Sequence, residues 1–178
     1  MKKIVLVCGL IAGLIAGGWA VFFISMCYKN ASLENGMIYG YTAMLVGFSL
    51  IFVGIKNYRD NYLGGSISFG AAFKMGLMIA FIASSVYVVM WAIDYHFFVP
   101  DFDVVFSQHE VAKLQAAGAS QAAITAKTAE MAQFTQDYKN PLYFIGMTYI
   151  EILPVGILVS VIAALILKKK KQDNIATA

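Results

Sequence analysis

NPLYFIGMTYIEILPVGILVSVIAALILKKKK, residues 140–171, decides how this chain is read. Between 141 and 167, apart from two tyrosines, the only ionisable side chain is Glu151. About twenty consecutive apolar residues suffice to cross a bilayer, so the stretch is expected to be a transmembrane helix. Lys168, Lys169, Lys170 and Lys171 follow at once, and such basic clusters favour the cytoplasmic face. Pro154 stands three residues after Glu151 and removes a helical hydrogen bond beside the side chain that hydrocarbon tolerates least. Glu151 and Pro154 are therefore the first candidates for an intramembrane functional site.

Composition agrees with a membrane protein. Hydrophobic residues make up 60% of the 178, charged residues only 13%, and the mean hydropathy is +0.73. The length allows one compact domain, and apolar segments fill more than half of it, which leaves little chain for a separate soluble enzyme. The net charge of +3 is split along the chain, so it speaks for membrane orientation and gives no support to nucleic-acid binding. Cys8 and Cys27 would lie about 28 Å apart on one helix and cannot pair with each other; both read as small buried residues.

Three further apolar runs precede this stretch. The first, residues 4–28, follows Lys2 and Lys3 and is too long for a signal-peptide core of about seven to fifteen residues, so it is expected to be retained. Within it Gly9, Gly13 and Gly17 recur every four residues and form one close-packing stripe. That stripe could serve a second copy of the chain, but packing on a neighbouring span is the commoner use. The second run, 36–55, carries Gly40, Gly47 and Gly54 at seven-residue spacing and ends at the basic KNYRD segment with Lys56 and Arg59. The third, 68–99, is preceded by Gly64 and Gly65, can be capped by Ser66 or Ser68, and holds Lys74 near its start, where its amine can extend back to the headgroups.

Residues 100–140 form the one extended polar region. Ser107 and Glu110 read as a capping box for a helix ending near Ala117. Ser120 can cap a second helix reaching about Tyr138, with Ile124, Met131, Phe134 and Tyr138 on one face that rests on the membrane or on its partner helix. The fold class expected is an all-α membrane protein: four transmembrane helices in a single domain, 1–178, with a helical hairpin between the third and fourth. Of the thirteen Lys and Arg residues, Lys2, Lys3, Lys56, Arg59, Lys74 and Lys168 to Lys171 fall on one side of such a layout; Lys29, Lys113, Lys127 and Lys139 fall on the other. Nine against four places both termini in the cytoplasm and the hairpin outside, in the inner membrane.

The strings SLIFVGIKNYRD, GGSISFGAAFKMGL, YVVMWAIDYHFFVPDF and NPLYFIGMTYIEILPVGILVSVIAALIL resemble the bacterial membrane family called domain of unknown function 4199. The likeness spans nearly the whole chain. It implies a four-span architecture and supplies no activity.

No P-loop, nucleophile elbow, zinc-protease or paired Cys-x-x-Cys motif is present, and Asp94, His96, Asp101, Asp103, His109 and Glu110 match no metal-ligand spacing. The expectation is a non-enzyme without cofactor. The first reading of function is a structural or accessory membrane protein, such as a partner subunit in a homo-oligomer or with another membrane protein. The alternative is a proton- or cation-coupled transport component that uses Glu151. Lys56, Arg59, Lys74 and the four terminal lysines are candidates for contact with anionic lipid headgroups. Counted by depth, Glu151 shares a layer with Gly18, Val46 or Gly47, and Tyr87, so it is expected to face the bundle interior, neutral, with Tyr87 as hydrogen-bond partner.

Overall fold

A computed structural model describes residues 1–30 and 36–169. It holds six helices: α1 (Lys2–Asn30), α2 (Gly36–Tyr62), α3 (Phe69–Phe97), α4 (Phe102–Ala116), α5 (Gln121–Asp137) and α6 (Pro141–Leu167). Four of them, α1, α2, α3 and α6, are long and apolar enough to cross a membrane. Their end signals are local. The Asn140 side chain accepts from Leu142 N at 3.0 Å and Pro141 occupies the first turn, so α6 starts where a missing N–H costs nothing. Ser68 and Ser120 cap α3 and α5 in the same way. Gly64 and Gly65, at φ of 62° and 84°, turn the chain after α2 in a conformation other residues resist.

The long helices form a ring in the order α1, α2, α6, α3, with α2 and α3 touching lightly across the middle. Small residues set the register. A Cβ on Gly9, Gly13 or Gly17 would strike Ile82, Val86 or Met90, so α1 and α3 run parallel with their backbones close together. Gly47 faces the Ala12 carbonyl, which makes α2 antiparallel to α1. Gly76 faces Ser160 and Gly156 faces Ala80 and Phe48, so α6 runs antiparallel to α3 and parallel to α2. The glycine stripe of α1 is thus consumed inside the chain. Gly40 does not take part: among the described residues no atom of another element lies within 4 Å of where its Cβ would be.

Beyond Leu167 the chain bonds back to the α2–α3 turn: Ile67 N donates to the Lys169 carbonyl at 3.0 Å and Lys169 N to the Ile67 carbonyl at 2.9 Å. The helix directions put the start of α1 at this same end. At the opposite end α4 and α5 form the hairpin, which closes over a second apolar cluster of Trp91, Val99, Tyr138 and Phe144.

Two local expectations are corrected, and a third is decided between its alternatives. The second helix continues through Tyr62 instead of ending at 55, because Tyr58 packs on the core and Arg59 bonds to α6. Ser107 does not begin α4. The helix starts five residues earlier, at Phe102, whose ring packs edge-on to Trp91, and the Ser107 hydroxyl instead donates to the Asp103 carbonyl at 2.6 Å. Met131 and Tyr138 of α5 are buried within the hairpin and the junction below it, so that face rests on protein.

Candidate functional site

Helix α6 passes unbroken through Pro154. Its buried stripe runs Phe144, Thr148, Ile152, Gly156, Val159, Ser160, Ala163 and Ala164. Glu151 precedes Ile152 by one residue and is therefore rotated about 100° away, onto the flank that carries Met147, Pro154 and Leu158. The expected placement in the bundle interior needs correcting. Glu151 stands in a crevice, crowded by protein on one side and more than a third open on the other. The surrounding open side chains are apolar: Met147 is 37% exposed, Ile150 69% and Leu158 60%.

Of the expected layer, one member meets it. Tyr87, 6% exposed on α3, is the member of that layer whose hydroxyl neighbours the Glu151 carboxyl. Gly18 instead faces Met90, Gly47 faces α1, and Val46 is 54% exposed. The reason is the ring order: α1 lies opposite α6, so residues at equal depth on those two helices do not touch.

Tyr87 begins a stripe that continues along α3 as Trp91 and Tyr95, one turn apart, toward the hairpin. The Trp91 indole N–H donates to the Tyr138 hydroxyl at 2.8 Å, and the Tyr95 hydroxyl donates to Asp103 Oδ1 at 3.2 Å. The Tyr95 and Tyr138 rings meet edge to face with centroids 5.3 Å apart. Burial raises the Tyr138 phenol above its usual titration range, with a smaller opposing contribution from the Trp91 bond. Asp94 and Asp103, 1% and 2% exposed, are buried here as well. Both Asp94 oxygens, Asp103 Oδ2 and the Ser84 hydroxyl oxygen have no hydrogen-bond partner among the described residues. The sequence alone pairs neither Trp91 with Tyr138 nor Tyr95 with Asp103. The i, i+4, i+8 spacing of Tyr87, Trp91 and Tyr95 was the available signal.

At the other end the basic residues divide into two kinds. Arg59 is engaged: its guanidinium donates to both Asp60 oxygens, at 2.6 and 3.1 Å, and to the Leu167 carbonyl at 3.2 Å, closing the C-terminus of α6. Lys56, Lys168 and Lys169 are exposed. Lys74 is exposed too, at the mouth of a shallow apolar groove with Val5, Phe73, Leu77 and Phe81, far along the bundle from Glu151. Lys170 and Lys171 lie outside the described residues.

Among curated proteins and among solved structures nothing matches this chain. A family model does match, over residues 8–169, which takes in most of α1, the other three long helices and the hairpin with its aromatic junction. A chain matched over that extent is a member: this is a protein of the family described as protein of unknown function (DUF4199), a multi-pass membrane protein by its four apolar helices.

Proposed function

We propose that this chain is an accessory subunit of a membrane assembly, and that the Glu151 flank of α6 is the face it presents to its partner. One observation carries the reading. A carboxyl-bearing side chain lies at mid-span on the outside of the single chain, ringed by exposed apolar residues. A charged side chain at that depth costs at least about 2.5–3.5 kcal/mol in lipid, whereas a partner helix that offers a hydrogen-bond donor removes the cost. The glycine stripes do not supply that partner, because they are spent on packing within the chain. The occupant proposed is a different membrane protein with a polar or basic residue at mid-span. A second copy would set two Glu151 carboxyls against each other across a two-fold axis.

The division of basic residues supports an inner-membrane location with both termini, the Ile67 turn and the exposed lysines in the cytoplasm and the hairpin outside. Lys56, Lys74, Lys168 and Lys169 then sit where anionic headgroups are, and Arg59 serves α6 instead.

The test is cross-linking in native membranes from a photoreactive residue at Ile150 or Leu158, with Ile93 as a control on another exposed face. A product from the first two positions and none from Ile93, with a mass added by a different polypeptide, is the expected result. A doubled mass replaces the partner by a second copy. Equal or absent products at all three positions overturn the docking face.

A further inference from the structure

At the end of the bundle where α1 and α3 begin, a groove of about 510 Å3 lies open along these two helices. Pockets that hold a small molecule run from about 300 to 1,000 Å3, so the groove has room for one. Val5 of α1 lines it together with Phe73, Leu77, Met78, Phe81 and Ile82 of α3, all apolar. Lys74 is its one polar lining residue and stands at the end nearer the membrane surface.

The register of the two helices brings a second cation to that end. Gly9 meets Ile82 and Gly13 meets Val86, so Lys2, seven residues before Gly9, is level with Met75, seven before Ile82 and next to Lys74. Lys2 also lies three residues before Val5, on the same stripe of α1. Both lysines are exposed. Neither has an acidic neighbour on its own helix, because residues 1–30 and 61–93 contain no Asp or Glu, and Asp60 at this end is held by Arg59. The starts of two parallel helices add their own partial positive charge. This end of the groove is built for an anion.

Length decides what kind of anion. From Lys74 to Ile82 is eight residues, about 12 Å along α3, against about 15 Å for one leaflet's share of the hydrocarbon. The groove therefore starts at a headgroup layer and ends short of the midplane, which is the reach of a single acyl chain. Its two ends are fixed by the fold. At the surface end the Phe73 ring stacks on Phe69 with centroids 5.8 Å apart. At the deep end the Phe81 ring stacks on Tyr149 of α6 at 6.1 Å. Ser85 donates to the Phe81 carbonyl at 2.8 Å, so the Tyr149 hydroxyl, 2.8 Å from Ser85, donates to it and locks that ring in place. A water-soluble anion would use the lysines and leave the apolar lining bare, and a zwitterionic lipid would bring its own cation up to them.

We propose that one anionic phospholipid is bound here, its phosphate between Lys74 and Lys2 and one acyl chain in the groove from Phe73 to Ile82. The site deepens the headgroup contact given above to Lys74 by making it part of a place for a single lipid molecule. It requires a headgroup layer at this end of the bundle, and neither the docking face at Glu151 nor a particular orientation of the chain.

The test is native mass spectrometry of the full chain released from mixed micelles that contain phosphatidylglycerol and phosphatidylcholine of equal chain length. The first lipid retained is expected to be phosphatidylglycerol. Lys74→Gln should lower its retention about fivefold, the effect of one charge at a membrane surface. Lys168→Gln makes the same charge change at the same end, away from the groove, and should have less than half that effect. Leu77→Trp and Met78→Trp fill the groove from two positions, and each should lower phosphatidylglycerol retention with Lys74 intact. Glycerophosphoglycerol, the headgroup without chains, should not displace the lipid. Equal losses in Lys74→Gln and Lys168→Gln overturn the site, as do equal retention of the two lipids, unchanged retention in both tryptophan variants, or displacement by glycerophosphoglycerol. Lys74 is exposed, so the lysine comparison stands even where a tryptophan variant fails to fold. Cross-linking from Ile150 does not read this groove, so the lipid site and the docking face fail separately.

Discussion

Replacing glycines one at a time by alanine should grade the stability of the bundle according to what each new methyl meets. At Gly13 the added Cβ would lie 2.6 Å from Val86 Cβ and 2.7 Å from the Ala83 carbonyl oxygen, and at Gly47 it would lie 2.7 Å from the Ala12 carbonyl oxygen. Carbon contacts are comfortable at about 3.5–4.0 Å, so the helices must part by about 1 Å, and backbone cannot swing aside. Overpacking of this kind costs about 1–3 kcal/mol. At Gly17 and Gly54 the nearest atoms are Met90 Sδ at 2.7 Å and Ile79 Cδ1 at 2.9 Å, both at the ends of flexible side chains, so the cost falls below about 1 kcal/mol. At Gly40 no described residue of another element stands in the way, and alanine should be neutral or gain up to about 1 kcal/mol from helix propensity. The assay is reversible unfolding in mixed micelles by titration with a denaturing detergent. Ile79→Val removes the atom that Gly54→Ala strikes, so the pair should cost less than the sum of its single changes. Equal losses at all five glycines would refute the register derived from these contacts. So would Gly40→Ala being the worst.

A cysteine at Gln121 should react with a membrane-impermeant reagent in intact cells and one at Asn61 should not; the reverse pattern refutes the proposed orientation. Changing Lys168 to Lys171 to glutamine should reduce retention of anionic lipid by native mass spectrometry, as added salt should for the unchanged protein, whereas Arg59→Gln should have the smaller effect because Asp60 and Leu167 already hold that guanidinium. Unchanged retention in the lysine variant removes the headgroup role. The Tyr138 phenol titrates above its unfolded value of about 10, so it binds a proton in the folded state that the unfolded state has lost; its contribution to stability is complete below pH of about 10 and declines above it. Tyr138→Phe should remove that part of the alkaline decline, and an identical decline in the variant contradicts the buried placement.

The helices were legible because length and hydropathy fix a span almost without competition from other structures. Residues 141–167 were placed to the residue, since Asn140 and Pro141 mark the start and the lysines mark the end. The hairpin was harder. Ser107 and Glu110 match a capping box, yet Phe102 has a buried aromatic site to fill beside Trp91, and that packing draws the helix start five residues forward. Arg59 was legible as a basic residue at an interface but not as a cap for α6, because its two partners lie at Asp60 next door and Leu167 far along the chain. The stripe Tyr87, Trp91, Tyr95 has a helical period, but its meaning depends on Tyr138 and Asp103, which only the closed hairpin brings to it.

Depth and direction are separate problems for a residue such as Glu151. Depth follows from counting residues along a helix, and the count sets Glu151 level with Tyr87. Direction normally comes from an apolar face, and α6 has none to offer, since lipid and bundle core are both apolar. What distinguishes the two sides of α6 is where its small residues fall. Its inward stripe sets Thr148, Gly156, Ser160, Ala163 and Ala164 among the larger Phe144, Ile152 and Val159, while Leu142, Ile150, Leu158, Leu165 and Ile166, all large, point out. Helices in lipid approach one another through small residues, so the small side is the inner side even where it is the more polar one. By that criterion Glu151, aligned with Met147, Pro154 and Leu158, belongs to the large outward flank. An intramembrane carboxyl on the outward flank calls for a second protein, whereas one on the inward face calls for none.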